Sequence, residues 1–210
     1  MQKSKVKIIY EDDNLLVIDK PAGVVADEIP RRIHRLDKDT SGILLVAKND
    51  KALEFLQKQF KEREVKKKYL ALVAGNLKKE EGVIETLIGR SPGDRRKQKV
   101  YLPGEPNAQE KRKAVTEYKV LQRFENYTLI KVEPKTGRKH QIRTHLAYLG
   151  HPIAGDKLYG FKNQPRPERL KRQFLHASYL KVKLPNGKTK EFKSELPNEL
   201  KLCLQNLKPL

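Results

Sequence analysis

Short β-rich runs, each stopped by a turn residue, recur along most of this chain, and this pattern limits it to folds built on a sheet of many short strands. "VKIIY" and "NLLVID" flank an acidic turn and end at "KPAG", which predicts a hairpin that delivers the chain to residues 24–36. "GILLVAK" (42–48) reads as a buried strand, "KKYLALVAG" as a strand ended by Gly75, and "EGVIETLIG" as another. "AVTEYKVLQRF" and "YTLIKVEP" alternate on either side of a turn at "EN", and "FLHASYLKVKLPNGKTKEFKSELP" closes as a hairpin turning at "PNG". Helices are few. "NDKALEFLQKQFKEREV" is apolar at 53, 56 and 60, with Asn49 or Asp50 as its cap. "GRKHQIRTHLAYLG" reads as a turn and then a helix ended by Gly150, and the tail at 197–209 suits a short helix. The elements are not in regular βαβ order. The expected class is therefore α+β, a mixed and mainly antiparallel sheet with flanking helices, whose two halves would flank a cleft.

Charge narrows the partners. The chain has 210 residues, with 46 Lys and Arg against 26 Asp and Glu, a net charge of +20. Total charge can reflect solubility or heat tolerance, but an imbalance this large favours an anionic partner. Nucleic acid is the first candidate, because phosphate rewards many basic side chains through counterion release. No apolar run approaches the length of a membrane span, and the N-terminus lacks a signal-peptide core. The single cysteine, Cys203, permits no disulfide framework and no cysteine zinc site, and it reads as a small apolar residue. A cytoplasmic location is expected. Residues 89–113, "GRSPGDRRKQKVYLPGEPNAQEKRK", are rich in Gly, Pro and basic residues without clear periodicity, which predicts a long surface loop.

Three segments carry candidate chemistry. In "HRLDKDTSG" (34–42), Asp37 and Asp39 sit among Arg31, Arg32, Arg35 and Lys38. Turn formation explains Asp39, Thr40 and Ser41. In an extended segment both acids would point the same way, yet no further ligand follows at short spacing, so a metal is not expected. "KTGRKHQIRTH" (135–145) packs six basic or His residues together, and His140 and His145 are not spaced for zinc on one helix face. An Arg from this segment can pair with an Asp of the first, and a carboxylate so held can act as a nucleophile. Tyr69, after three lysines, is either a half-buried strand residue or a face for an unstacked base.

"HRLDKDTSGILLVAKN", "KKYLALVAG" and "TGRKHQIRTHLAYLGHPIAGDKLYG" resemble, in order, the main sequence blocks of the RluA family of RNA pseudouridine synthases, and "LHASYLKVKLPNG" resembles that family's closing hairpin. The likeness runs from about residue 6 to about residue 197. It implies the pseudouridine synthase fold with a central RNA-binding cleft, and a single catalytic domain over 1–210 without the S4-type domain that precedes it in many relatives. It implies Asp37 as nucleophile, Arg143 as the partner that keeps Asp37 ionised, and Tyr69 stacked on the target uracil and taking part in moving a proton. It implies Arg35 as the side chain that fills the gap left by the flipped nucleotide, and Ile142 as an apolar wall of the base pocket. Arg95, Arg96 and Lys97 lie where relatives have an RNA-gripping loop, and Lys66, Lys67 and Lys68 are further candidates for RNA contact.

The implied reaction converts uridine to its C-linked isomer in ribosomal RNA, transfer RNA or both, on a base flipped out of its helix or loop. It adds and removes no group, so no cofactor and no metal are expected. RNA is the expected partner, no membrane is, and the protein is expected to be a monomer. The rival reading is a non-catalytic RNA-binding or ribosome-assembly protein on the same scaffold. A DNA-binding protein would more naturally show a recognition helix and a dimer element, and a metal-dependent nuclease would need clustered acids.

Overall fold

The computed structural model describes residues 6–164 and 166–210. The strands are β1 (Lys7–Glu11), β2 (Leu15–Lys20), β3 (Ser41–Ala47), β4 (Lys66–Ala74), β5 (Glu81–Arg90), β6 (Gln98–Tyr101), β7 (Arg112–Phe124), β8 (Tyr127–Pro134), β9 (Leu175–Lys183) and β10 (Thr189–Lys193). The helices are α1 (Asp50–Glu62), α2 (Gln141–Tyr148) and α3 (Asn198–Gln205). The class is the expected one, α+β with a mostly antiparallel sheet. The chain divides into two compact units, residues 6–69 with His176–Pro197 and Leu70–Leu175 with Asn198–Leu210.

In the first unit β1, β2 and β3 form an antiparallel meander, and β9 pairs antiparallel with β10. The parallel element is short: Ser41 and Gly42 of β3 lie opposite His176 and Ala177 of β9. The run "GILLVA" is continuously apolar because β3 is covered on both faces. Ile43, Leu45 and Ala47 face a core shared with Ala52 and Leu56 of α1 and with Leu180 and Phe192. Leu44 faces a second core with Ile18, Ala26, Leu36 and Ala177. Gly42 is required where β3 meets β9. Its φ is +115° and an added Cβ would lie 2.3 Å from the Ala177 carbonyl oxygen. Helix α1 starts at Asn49, whose side chain accepts the Ala52 N–H at 2.9 Å, a cap worth about 1 kcal/mol.

The second unit carries an antiparallel β8-β7-β5-β6 sheet. Helix α2 lies against β6, β7 and β8, and its buried face includes Ile142, Arg143, His145 and Leu146. Cys203 is buried on α3, where burial raises its thiol to about 11 and keeps it inert.

Residues 89–113 differ from the expected single loop. Strand β5 runs to Arg90, residues 91–97 turn the chain, and β6 pairs back on β5 before a second loop that holds a 3₁₀ turn at Ala108–Glu110. The strand "QKVY" is too short for a readable alternation. It is fixed instead by burial of Val100 and Tyr101 and by the Tyr101 hydroxyl, which donates to the Arg90 carbonyl at 2.9 Å.

Candidate active site

Asp37 stands on a turn built from the backbone upward. Before it, the chain lies along β3, with Ile33 N–H donating to the Leu45 carbonyl at 3.0 Å and Ala47 N–H to that of Arg31 at 2.9 Å. Leu36 then plugs the core against Leu44. The Thr40 N–H donates to the Asp37 carbonyl at 3.0 Å, so Lys38 and Asp39 form the turn centre. Asp39 and Lys38 are exposed and Asp37 is half-buried.

Lys20, in "KPAG", braces this turn from below. It is fully buried, and its Nζ donates to the carbonyls of Pro21, Val24 and Lys38 at 2.9, 2.9 and 3.1 Å. The Gly23 N–H reaches the same Lys38 carbonyl at 2.9 Å. A long cation thus ties the "KPAG" bend to the peptide that follows Asp37. The "TSG" block is equally structural. Ser41 Oγ lies 3.0 Å from His176 Nδ1, and His176 Nε2 lies 3.1 Å from the Ser194 carbonyl, which fixes the tautomer with the proton on Nε2.

His34 is a neutral imidazole. Burial, reinforced by the Lys67 charge, lowers its pKa to about 3. Its Nε2 accepts the Leu45 N–H at 3.2 Å, and its ring stacks on Phe60 with centroids 4.7 Å apart. Tyr69 packs against the core that holds Leu36 and Leu44. Burial, and then the Asp37 charge, raise its hydroxyl above the ordinary tyrosine value. Tyr69 therefore keeps its proton and senses Asp37 electrostatically. Arg35 is exposed and pairs with Asp27 at 3.3 Å, while Arg32 reaches the other oxygen of Asp27 at 2.8 Å.

In the second unit Arg143 forms a buried, two-pronged ion pair. Its Nε donates to Asp156 Oδ2 at 2.7 Å and its Nη2 to Oδ1 at 2.9 Å. Burial alone would raise the Asp156 carboxyl, but the Arg143 bonds and charge, with the N–H groups of Leu158 and Tyr159, bring it below the usual range. Arg143 also stacks on the Tyr159 ring at 5.0 Å. The Tyr159 hydroxyl accepts the Gln98 N–H at 2.7 Å and lies 3.0 Å from His140 Nδ1. Gly155 makes this loop possible: its φ is +74°, and an added Cβ would lie 2.2 Å from the Arg172 carbonyl oxygen.

Two neighbours of Arg143 on α2 secure the helix. Gln141 spends its whole amide, accepting from Thr136 Oγ1 and Arg138 N and donating to Val115 O and Thr116 Oγ1. His145 lies between Thr116 and Thr86 at 2.8 and 3.0 Å, and burial lowers its pKa to about 4. Ile142 is buried beside them. At the β5–β6 turn Arg95 and Arg96 are exposed and Lys97 is half-buried. Arg96 is held by Asp94 at 2.8 and 3.0 Å, and its bonds lower the Asp94 carboxyl to about 2.

Among the expected residues, Asp37, Tyr69 and Arg35 thus lie in the first unit, and Arg143, Ile142, Arg95, Arg96 and Lys97 in the second. Sequence reasoning missed Lys20, Asp27, Asp156 and Tyr159. The one usable signal was an acid directly after a glycine inside "IAGDKLYG", which marks a side chain carried on a constrained bend. Among the described residues no group of three His, Cys, Asp or Glu can hold a metal ion. No helix there is long and apolar enough to cross a membrane.

A family model described as RNA pseudouridylate synthase matches residues 25–148. The chain belongs to that family. A ribosomal large subunit pseudouridine synthase D of Nitrosomonas europaea is 40% identical over 98% of this chain and 66% of that protein. The uncharacterized RNA pseudouridine synthase YlyB of Bacillus subtilis is 36% identical over 96% of this chain and 72% of its own length. The human RNA pseudouridylate synthase domain containing 1 superposes with a TM-score of 0.83 at 30% identity, over 98% of this chain and 89% of that one. The chain spans 66%, 59% and 59% of the first three curated relatives it matches. The RNA pseudouridylate synthase fold is thus the frame in which "HRLD" and "IAGDKLYG" present their acids.

Proposed function

We propose that this protein is an RNA pseudouridine synthase, an isomerase in which Asp37 is the nucleophile on a flipped-out uridine. The observation that carries the reading is Asp37 itself: the Asp of "HRLD" in a member of this family, half-buried on a braced turn, with its charge felt by Tyr69. In the reaction the N1–C1′ bond breaks, the uracil turns, and C5 bonds to C1′. The hydrogen leaves C5 and N1 regains one, so atoms and electrons balance without an external reactant.

Each residue has a role within this proposal. The Asp37 carboxylate attacks as the nucleophile. Tyr69, which keeps its proton, presents its ring to the uracil and its hydroxyl as a donor. Arg143 is assigned to keeping the Asp37 carboxylate ionised, a role supported by family likeness and by the locked guanidinium that Asp156 provides. Ile142 walls the base, and Arg35 fills the vacated stack once it leaves Asp27. Arg95, Arg96 and Lys97 grip the RNA backbone. The names of the relatives make large-subunit ribosomal RNA the first substrate to try, with transfer RNA second, and the protein is proposed to act as a monomer.

The test is nucleoside analysis. Unmodified transcripts of ribosomal RNA and transfer RNA are incubated with the protein in EDTA, digested, and analysed by chromatography with mass detection. Equal loss of uridine and gain of pseudouridine at unchanged RNA length is the expected result. Salt-sensitive binding without pseudouridine on any transcript would overturn the isomerase and leave an RNA-binding protein.

A further inference from the structure

Several cations of the first unit are held by acids, and Lys67 is not. Arg31 pairs with Asp50, Arg32 and Arg35 with Asp27, and Lys48 with Glu11. Lys67 has neither a hydrogen bond nor an ion pair among the described residues, and its Nζ lies 5.7 Å over the Phe60 ring. It is partly buried, and burial lowers its ammonium below the ordinary lysine value. Its charge is also felt by His34, which stacks on the same Phe60 ring. A half-buried ammonium with only an aromatic face beside it is costly to hold in the isolated protein. Such cost, not offset inside the fold, marks groups kept for a ligand.

Position identifies that ligand. Lys67 and Tyr69 are two residues apart on β4, and the groups that feel them follow the same order: the Lys67 charge is felt by His34, and Tyr69 feels Asp37, three residues further on. The ammonium therefore flanks the ring assigned to the uracil. The anion that every nucleotide carries beside its base is its phosphate, and a lysine meets phosphate as a compact point charge.

We propose that Lys67 binds a backbone phosphate of the target nucleotide, so that the flipped residue is held by its base on Tyr69 and by its phosphate on Lys67. The inference rests on the pseudouridine synthase reading. It makes Lys67 a substrate-binding residue that acts once the nucleotide has left its stack, unlike the exposed arginines of the β5–β6 turn.

The experiment compares wild type with Lys67→Met, which keeps the stem over Phe60 and removes the charge. Lys188→Gln on the β9–β10 turn is the control for lost surface charge. The probe is an unmodified large-subunit ribosomal RNA transcript, with binding measured at several salt concentrations and thermal melting measured without RNA. Lys67→Met should bind roughly tenfold more weakly, with a salt slope smaller by about 0.7–0.9, and should melt at the same or a higher temperature. A lower melting temperature with unchanged affinity and slope would overturn the proposal and make Lys67 a packing residue.

Once a modified uridine is mapped, neutral methylphosphonates placed at its two flanking phosphates complete the test. One of them should weaken wild type and leave Lys67→Met unaffected, and equal loss in both proteins would also overturn the assignment. If wild type binds but forms no pseudouridine, the enzyme reading fails by itself. The binding and melting comparison then still decides whether Lys67 is an anion site.

Discussion

Asp37 of the first unit and Asp156 of the second are held in different ways. Asp156 is sealed: a guanidinium takes both its oxygens, two backbone N–H groups reach it as well, and its residue is 5% exposed. Asp37 is half-buried on a turn whose bracing acts on the backbone, through the Lys38 carbonyl and the Leu36 plug. An acid consumed by its partners can only position them, whereas the Asp37 turn is fixed through its backbone. The comparison shows two ways of fixing an aspartate, and under the proposed function Asp37 is the one at the chemistry. The largest effect should follow from Asp37→Asn, which keeps shape and removes the ionisable oxygen. Pseudouridine formation should fall by at least about 10³-fold, with melting temperature and RNA affinity near wild type. Activity within tenfold of wild type would end the assignment.

Breaking the two supports should separate them further. Asp156→Ala leaves Arg143 buried without its anion, which should cost about 3–5 kcal/mol and lower the melting temperature by roughly 6–20 °C. Lys20→Met leaves three carbonyls without their shared donor, at about 1–3 kcal/mol for each group that water cannot reach. Both should lose activity, but Lys20→Met through the turn that carries Asp37. A Lys20→Met protein with full activity would mean that the turn holds its shape without the lysine.

Acid should act through the histidines. His34 and His145 have folded pKa values of about 3 and about 4, both below the unfolded value near 6.5. Their contribution to stability is therefore present above about pH 6.5 and lost as pH falls towards the folded values, because the unfolded chain takes up the protons first. Unfolding measured in denaturant should show stability declining between pH 6.5 and 4. His145→Gln should flatten part of that decline, although it also disturbs the Thr116 and Thr86 contacts. An unchanged slope in the variant would assign the acid response elsewhere.

What was legible in the sequence follows the range of the interactions. Hairpins, the Asn49 cap and the Gly150 stop depend on neighbours in the chain, so alternation and turn residues expose them. "HRLD" and "GRKHQIR" were readable as site segments because family likeness supplies the roles. The bracing was not readable. Lys20 looks like any surface lysine until the chain folds its ammonium against three carbonyls, and Asp156 meets Arg143 across thirteen residues of irregular loop and helix. The strand "QKVY" was hidden for a different reason, since its burial comes from the neighbouring β5 and not from its own pattern.

The smallest predicted effect concerns the surface of the first unit, where Asp27 holds Arg35 by an exposed contact with side chains 43% and 54% accessible. Such pairs are worth about 0–1 kcal/mol, so Asp27→Ala should change the melting temperature by no more than about 4 °C. Arg32 loses the same partner, but its backbone remains bridged to Val46. If Arg35 must leave Asp27 to enter the RNA stack, removing Asp27 lowers the cost of that step, and the transcript should bind up to about fivefold more tightly. Part of that gain would come simply from deleting a negative charge near phosphate. Asp27→Asn with Arg35→Gln separates the two causes: a purely electrostatic gain survives in the double variant, and a gain that depends on releasing Arg35 disappears. Weaker binding by Asp27→Ala would show instead that Asp27 presents Arg35 to the RNA and does not merely park it.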